Sequence, residues 1–303
     1  MAPSVTVVIS TRDRGARIVQ TIQTIQASTR PDFELRIVDQ SADHVTEASV
    51  RQSVNDPRVR YIRSATQGVS TGRNIGVAGA RSELIAITDD DCEVPATWLQ
   101  DIMAAFEVDP RIGLVFGNVL PFPHDRASGF VPAYVRDEPF LARSIRDKHQ
   151  VEGGSACMAL RRSVWQALGG FDEMLGVGSR LRSGAESDFT IRCLLAGHFV
   201  FETPTVSVIH HEFHTWEQGR GIVERYWYGT GAMFVKQLKC GHWAILPLLG
   251  RLAWRWAFGR SRFAMSLGRY PHRLFRLWSF IRGFMAGGMT PVDRVTRRYV
   301  RRQ

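Results

Sequence analysis

Three consecutive aspartates, Asp89, Asp90 and Asp91, directly follow the apolar run at 84–88 (LIAIT). A strand ending in clustered carboxylates can hold a hard divalent cation through oxygen ligands. Such a cation could neutralise a diphosphate leaving group. An Asp-rich turn or helix cap would give the same three residues. Another acid, Asp39, closes a second apolar run at 33–39 (FELRIVD). Later in the chain Glu186 and Asp188 open a segment of helical character, in which Asp188 and Arg192 stand at i,i+4 spacing, close enough for a helix ion pair.

The elements that must position these groups follow from apolar periodicity. Residues 5–10, 33–39, 58–63 and 84–88 are short apolar runs of the kind that form buried strands. Between the first two, Ile18, Ile22 and Ile25 recur at helical spacing before Pro31. A Gly-punctuated loop at 68–80 leads into another helix. Further strands are expected at 153–161, around Val200 and at 206–209, with helices at 163–168 and 186–196, the latter ended by Gly197. Alternating strands and helices predict an α/β fold with a mostly parallel sheet. Ligands in such sheets gather at the carboxyl ends of strands, where Asp39 and the aspartate triplet both fall. Residues 121–150, with four prolines, read as a long surface segment.

Several stretches, in this order, resemble family 2 glycosyltransferases. They are Val7-Val8-Ile9-Ser10-Thr11-Arg12, Ile37-Val38-Asp39-Gln40-Ser41, the G-x-x-x-x-R-N-x-G segment from Gly68 to Gly76, and Asp89-Asp90-Asp91 with Pro95. Gly169-Gly170-Phe171-Asp172-Glu173 and Ala185-Glu186-Ser187-Asp188 complete the series. The resemblance implies a GT-A fold: a Rossmann-like, mostly parallel sheet flanked by helices. It also implies inverting transfer from a nucleotide sugar, with a UDP-sugar favoured, in the presence of Mg or Mn. Thr11 and Arg12 would line the donor loop, Asp39 would contact the nucleobase and Arg73 the diphosphate. Asp89 would meet the ribose or the metal shell, with Asp90 beside the donor and Asp91 on the metal. Gly153 and Gly154 would let backbone approach the sugar, and His210 or His211 would complete the metal or diphosphate site.

One departure concerns the base. The family's E-D-x-D reads Ala185-Glu186-Ser187-Asp188 here, so Glu186 stands in the position of the catalytic aspartate. A glutamate can serve as general base with its carboxylate one methylene further out, and Asp188 is the second candidate. The alternative function is a catalytically weak sugar-nucleotide-binding scaffold at a membrane. A nucleotidyltransferase would need a Gly-rich loop with a lysine after the first strand. Residues 10–15 (STRDRG) lack it.

The 303 residues are 44% hydrophobic and 22% charged, too apolar for a disordered chain. Four cysteines form no CxxC pair, which argues against a zinc site and for a reduced, cytoplasmic setting. Charge is uneven: from Arg225 onward there are 16 Lys and Arg against one acid, Asp293. Aromatics such as Trp243, Trp254, Phe258, Phe263 and Trp278 interleave with these arginines, suggesting basic amphipathic helices. No apolar run is long enough to span a bilayer. The expected organisation is a catalytic domain at 1–221 and a basic aromatic helical region at 222–303. The latter would rest on an anionic membrane surface, peripheral at the inner face of a bacterial cell membrane. The acceptor would be a saccharide or a lipid-linked saccharide of the cell envelope. No nucleic-acid-binding signature is present.

Overall fold

A computed structural model describes residues 3–257 and 273–300. Phe258, Arg262, Phe263 and Arg269 of the basic region lie outside the described residues. The first part of the chain runs β1 (Val5–Thr11), α1 (Arg17–Gln26), β2 (Phe33–Asp39), α2 (Val45–Ser53), β3 (Val59–Arg63), α3 (Val69–Ala78) and β4 (Leu84–Ile87). Next come β5 (Cys92–Glu93), α4 (Trp98–Glu107), β6 (Ile112–Pro121), β7 (Gly129–Phe130), β8 (Phe140–Ala142), β9 (Met158–Arg161) and α5 (Arg162–Ala167). The remainder holds α6 (Ala185–Leu195), β10 (Phe199–His210), β11 (His214–Thr215), α7 (Trp216–Lys239), α8 (Leu246–Ala257), α9 (Arg273–Met289), β12 (Val292–Asp293) and β13 (Arg298–Tyr299).

Nine strands form one sheet in the order β3-β2-β1-β4-β9-β6-β10-β5, with β8 pairing the start of β10. Strands β1, β2, β3, β4, β6 and β10 share one direction, while β9, β5 and β8 run against it. The sheet is mostly parallel, as the strand–helix alternation predicts. Strand periodicity then sorts β1 into two cores. Val5, Val7 and Ile9 face one cluster with Ile18, Ile22 and Ile25 of α1 and Trp98 and Ile102 of α4. Val8 faces the other, with Val77 of α3 and Phe189 and Cys193 of α6.

Two expectations differ in detail. The strand predicted at 153–161 begins only at Met158, after a 3-10 turn at Ser155–Cys157. The Glu152 and Gly153 amides donate to the Glu202 carboxylate at 2.9 and 2.6 Å rather than to a neighbouring strand. Val200 and 206–209 belong to one strand, β10, whose register against β6 shifts between Thr203 and Ser207.

The boundary drawn at 221/222 falls inside α7, one continuous helix of 24 residues. The second half of α7 is buried, and Lys236 has no exposed surface. Helices α7 and α9 cross so closely that a Cβ on Gly283 would lie 1.8 Å from the Tyr228 carbonyl oxygen. A Cβ on Gly231 would lie 2.1 Å from the Phe280 oxygen, so only glycine permits this approach. A third core cluster joins α6 to these helices through Ile191, Ala232, Met233, Phe280 and Tyr299.

Candidate functional site

The carboxyl ends of β1, β2 and β4 form one rim. Thr11 pairs in register with Asp39, and the aspartate triplet follows β4. Helix α3 lies against β1 because Gly76 has no side chain: a Cβ there would meet Val8 Cγ1 at 2.3 Å. That close seat points Arg73 across the rim. Its guanidinium is 3% exposed, with Nη1 2.8 Å from Glu186 Oε1 and Nη2 3.2 Å from Asp89 Oδ1. Asn74, the next residue, donates to the Phe171 carbonyl at 3.0 Å and accepts from the Phe171 amide at 2.9 Å. The arginine–asparagine segment is thereby fastened to the Gly169–Glu173 turn that leads toward α6.

Glu186 sits in the first turn of α6, partly exposed. Burial is the largest single influence and raises the carboxyl pKa, but the Arg73 charge together with hydrogen bonds from the backbone, Arg73 and Ser155 outweighs it. The net shift is downward, so Glu186 is an ionised carboxylate at neutral pH. Asp89 shifts the other way: its burial outweighs the Arg73 charge, and the neighbouring Asp91 adds to the rise.

Asp91 is built differently. Its Oδ1 is buried, makes no directed hydrogen bond and faces His210 Nε2 at 3.3 Å. Donor atoms of Asp91, His210 and Cys92 lie within 4.8 Å of one another. Burial keeps the Cys92 thiol protonated, which leaves a carboxylate and an imidazole as the available ligands. Burial also opposes a charged His210, yet the close Asp91 carboxylate and the Asp89 charge raise its pKa to about 9. His210 thus stands as an imidazolium paired with Asp91; loss of its proton would free Nε2, which with Asp91 Oδ1 would suit a divalent cation that completes its shell with further oxygens.

Among the other expected residues, several are placed otherwise. Asp188 is fully buried, two residues beyond Glu186 on the far side of α6. It bonds Arg192 Nε at 2.9 Å, Lys236 Nζ at 2.5 Å and Gln237 Nε2 at 2.6 Å. With no exposed surface it cannot meet an acceptor, so its place as a candidate base is corrected to a structural one. Asp39 is also fully buried, accepting from the Ser41 amide at 2.9 Å and from the Tyr61 hydroxyl. Its carboxylate shapes the loop after β2, with Oδ1 taken up by Ser41 and Oδ2 bonded by Tyr61. His211 points away from Asp91, pairing with Glu93 at 2.8 Å and stacking on Phe122, because adjacent residues at a strand end face opposite ways. Asp89 turns to Arg73 rather than joining the Asp91–His210 pair. Gly153 is set by packing, since a Cβ would meet Phe116 at 2.3 Å, whereas Gly154 faces open space. Thr11 is buried at the end of β1, and Arg12 extends outward beside Asp13 at 3.2 Å.

Three residues escaped the sequence reading. Arg14 reaches Asp90 at 2.8 Å, Asp91 at 3.1 Å and Glu212 at 3.2 Å, balancing the acid cluster. Asp90 is thus Arg14's partner, and burial still raises its pKa to about 7. Glu202, fully buried on β10, gathers the Glu152 and Gly153 amides, Tyr134 and Arg136. Lys236 spans Asp172 at 2.8 Å and Asp188. The available signal was a basic residue facing an unbalanced acid cluster, visible for Arg14 in the β1–α1 loop. Beside Asp91 opens a cavity of about 520 Å³ lined by Arg14, Arg17, His211, Glu212 and His214.

The chain is 28% identical over 231 residues to an uncharacterized protein, y4gI, of Sinorhizobium fredii. It is 26% identical over 229 residues to the O-antigen biosynthesis protein RfbC of Myxococcus xanthus. Each match takes in 69% of this chain, but only 24% and 17% of those longer proteins. Among solved structures, a mannosyltransferase from Pyrobaculum calidifontis, in complex with GDP-Man and Mn2+, superposes with a TM-score of 0.60 at 17% identity. That match covers 95% of this chain and 86% of the other. The shared architecture is the GT-A fold expected from the motifs. Residues 6–168, more than half of the chain, match the model of Glycosyl transferase family 2, and the chain belongs to that family.

Proposed function

We propose that this glycosyltransferase moves a sugar from a nucleoside diphosphate sugar to an acceptor hydroxyl with inversion of configuration. The observation that carries the proposal is Arg73, whose guanidinium joins Glu186 to Asp89 at the strand rim. A planar guanidinium suits phosphate oxygens as well as carboxylates, so it can hold a donor diphosphate while keeping Glu186 ionised beside it. Glu186 accepts the proton of the acceptor hydroxyl as that oxygen attacks the anomeric carbon. The bond from the anomeric carbon to the diphosphate oxygen breaks, and the electron pair leaves with the diphosphate. One displacement on the face opposite the leaving group inverts the centre. Asp91 and His210 would hold a divalent cation, which when bound supplies positive charge to the departing diphosphate. On the wall of the adjoining cavity Arg14 and Arg17 offset the charge of Asp91, Glu93 and Glu212.

The complex of the Pyrobaculum calidifontis neighbour with GDP-Man and Mn2+ supports a sugar-nucleotide donor and a metal. The O-antigen role in the name of the Myxococcus relative supports an acceptor in cell-surface glycan synthesis, saccharide or lipid-linked. The test is donor binding and hydrolysis across UDP-, GDP- and dTDP-sugars, with Mn or Mg and with chelator. Metal-dependent turnover of one donor is the expected result. Binding without turnover under every condition would move the protein to the scaffold reading.

A further inference from the structure

Helix α9 has two faces with different fates. Phe280, Gly283 and Gly287 are buried against the rest of the fold. Leu274, Trp278, Ile281, Met285 and Met289 are exposed, from 38% for Ile281 to 72% for Met289. At 3.6 residues per turn these five fall within an arc of about 80°, one continuous apolar stripe roughly 25 Å long. Scattered apolar residues on a surface need no explanation, but a stripe of this kind marks an interaction face.

Charge identifies the occupant. From Arg225 onward 16 basic residues stand against one acid, and Arg225, Arg251, Arg273, Arg282 and Arg294 are exposed. Helix α9 itself contains no acid. Two copies meeting through this face would bring two strongly positive regions together, whereas an anionic lipid surface is complementary to it. At 17 residues α9 is shorter than the ~20 needed to cross a bilayer, and no described helix is long and apolar enough to do so. On α9 itself Arg273 and Arg282 accompany the stripe, Arg282 also pairing with Glu224 at 3.2 Å, and an apolar stripe with basic neighbours is the pattern of a helix lying in the headgroup plane.

We propose that the exposed stripe of α9 is the docking surface for an anionic bilayer. The fold couples this surface to the site. Helix α9 packs on α7 at glycine distance, and Lys236 of α7 is ion-paired with Asp188, two residues past Glu186 on α6. The docked face and the Glu186 helix are therefore one connected body. Docking stands apart from the transferase reading; its use to present a lipid-linked acceptor to Glu186 rests on that reading.

The experiment is flotation of the full chain with vesicles of phosphatidylcholine alone or with 30% phosphatidylglycerol, at low salt and at 0.5 M NaCl. Wild type should float with the anionic vesicles and release largely with salt. The Trp278→Ser/Met285→Ser double variant changes only exposed side chains and should lose at least tenfold in vesicle partition. Its melting temperature and its donor hydrolysis in solution should match wild type. Quenching of Trp278 fluorescence by brominated lipid, absent in Trp278→Phe, would place the stripe in the bilayer. Flotation of the double variant equal to wild type, or no flotation of wild type at low salt, overturns the proposal. So does a concentration-dependent dimer, measured by sedimentation, that the double variant abolishes, because the stripe would then belong to a second copy.

Discussion

Arg73 and Glu186, 113 residues apart in the chain, meet at 2.8 Å on the rim of the sheet. Arg73 is buried and Glu186 only partly exposed, so the pair is largely shielded from water. The arginine keeps the glutamate ionised, and the glutamate holds the guanidinium in the plane where a diphosphate would meet it.

Glu186→Gln keeps the shape and removes the proton acceptor. Transfer should fall by about 10²–10⁴-fold, while donor affinity measured by calorimetry stays within about twofold, because the amide oxygen still accepts from Arg73. Full turnover by this variant would show that another group takes the proton.

Arg73→Lys keeps the charge but loses the fork that engages Glu186 and Asp89 together. Donor dissociation constants should rise by roughly tenfold, equal to about 1.4 kcal/mol. The same titration on Arg12→Lys, whose guanidinium extends outward, should change far less.

Metal binding can be read without turnover. Paramagnetic resonance of added Mn should show weak or no binding in Asp91→Asn and in His210→Ala. His211→Ala should bind like wild type, because His211 pairs with Glu93 instead. Equal loss in both histidine variants would mean that the segment after β10 rearranges around the ion.

The buried set of Asp172, Asp188, Arg192 and Lys236 carries balanced charge, and removing one member leaves a charge unpaired in the core. Lys236→Met should cost about 3–5 kcal/mol in urea unfolding. Burial alone would raise the Asp188 pKa, but Lys236 and Arg192 lower it below its unfolded value. The folded state therefore binds fewer protons than the unfolded one. This stabilisation is complete above the unfolded pKa of about 4 and is lost as pH falls through the folded value. Melting temperature should drop steeply below about pH 4, and Asp188→Asn should be less stable at pH 7 with a shallower acid limb.

Much of the sheet-bearing part was legible because its signals are local. Strand runs ending in acids, the arginine–asparagine segment and the Glu186 helix each declare themselves within a dozen residues. What was not legible depends on distance along the chain. Lys236 in an amphipathic helix reads as a solvated charge, and nothing nearby reveals that its partners lie 64 residues back at Asp172 and 48 back at Asp188. Asp188 carries a suitable residue type within the motif, yet it is buried against Arg192 and Lys236, and burial is a tertiary property. The two adjacent histidines could be separated only once β10 set which one faces Asp91.

The closure of Asp172 also has a consequence in time. Its Oδ2 is bonded by Lys236 and by the Tyr299 amide, which lies 127 residues later. At a translation rate of ~5–20 residues per second, the second of these partners emerges roughly 6–25 s after the aspartate itself. Even once β10 has been made, a nascent chain holds the strands of the sheet and the acid cluster but not yet the full clamp beneath α6. The clamp beside the Glu186 helix is thus among the last parts of the fold to be completed.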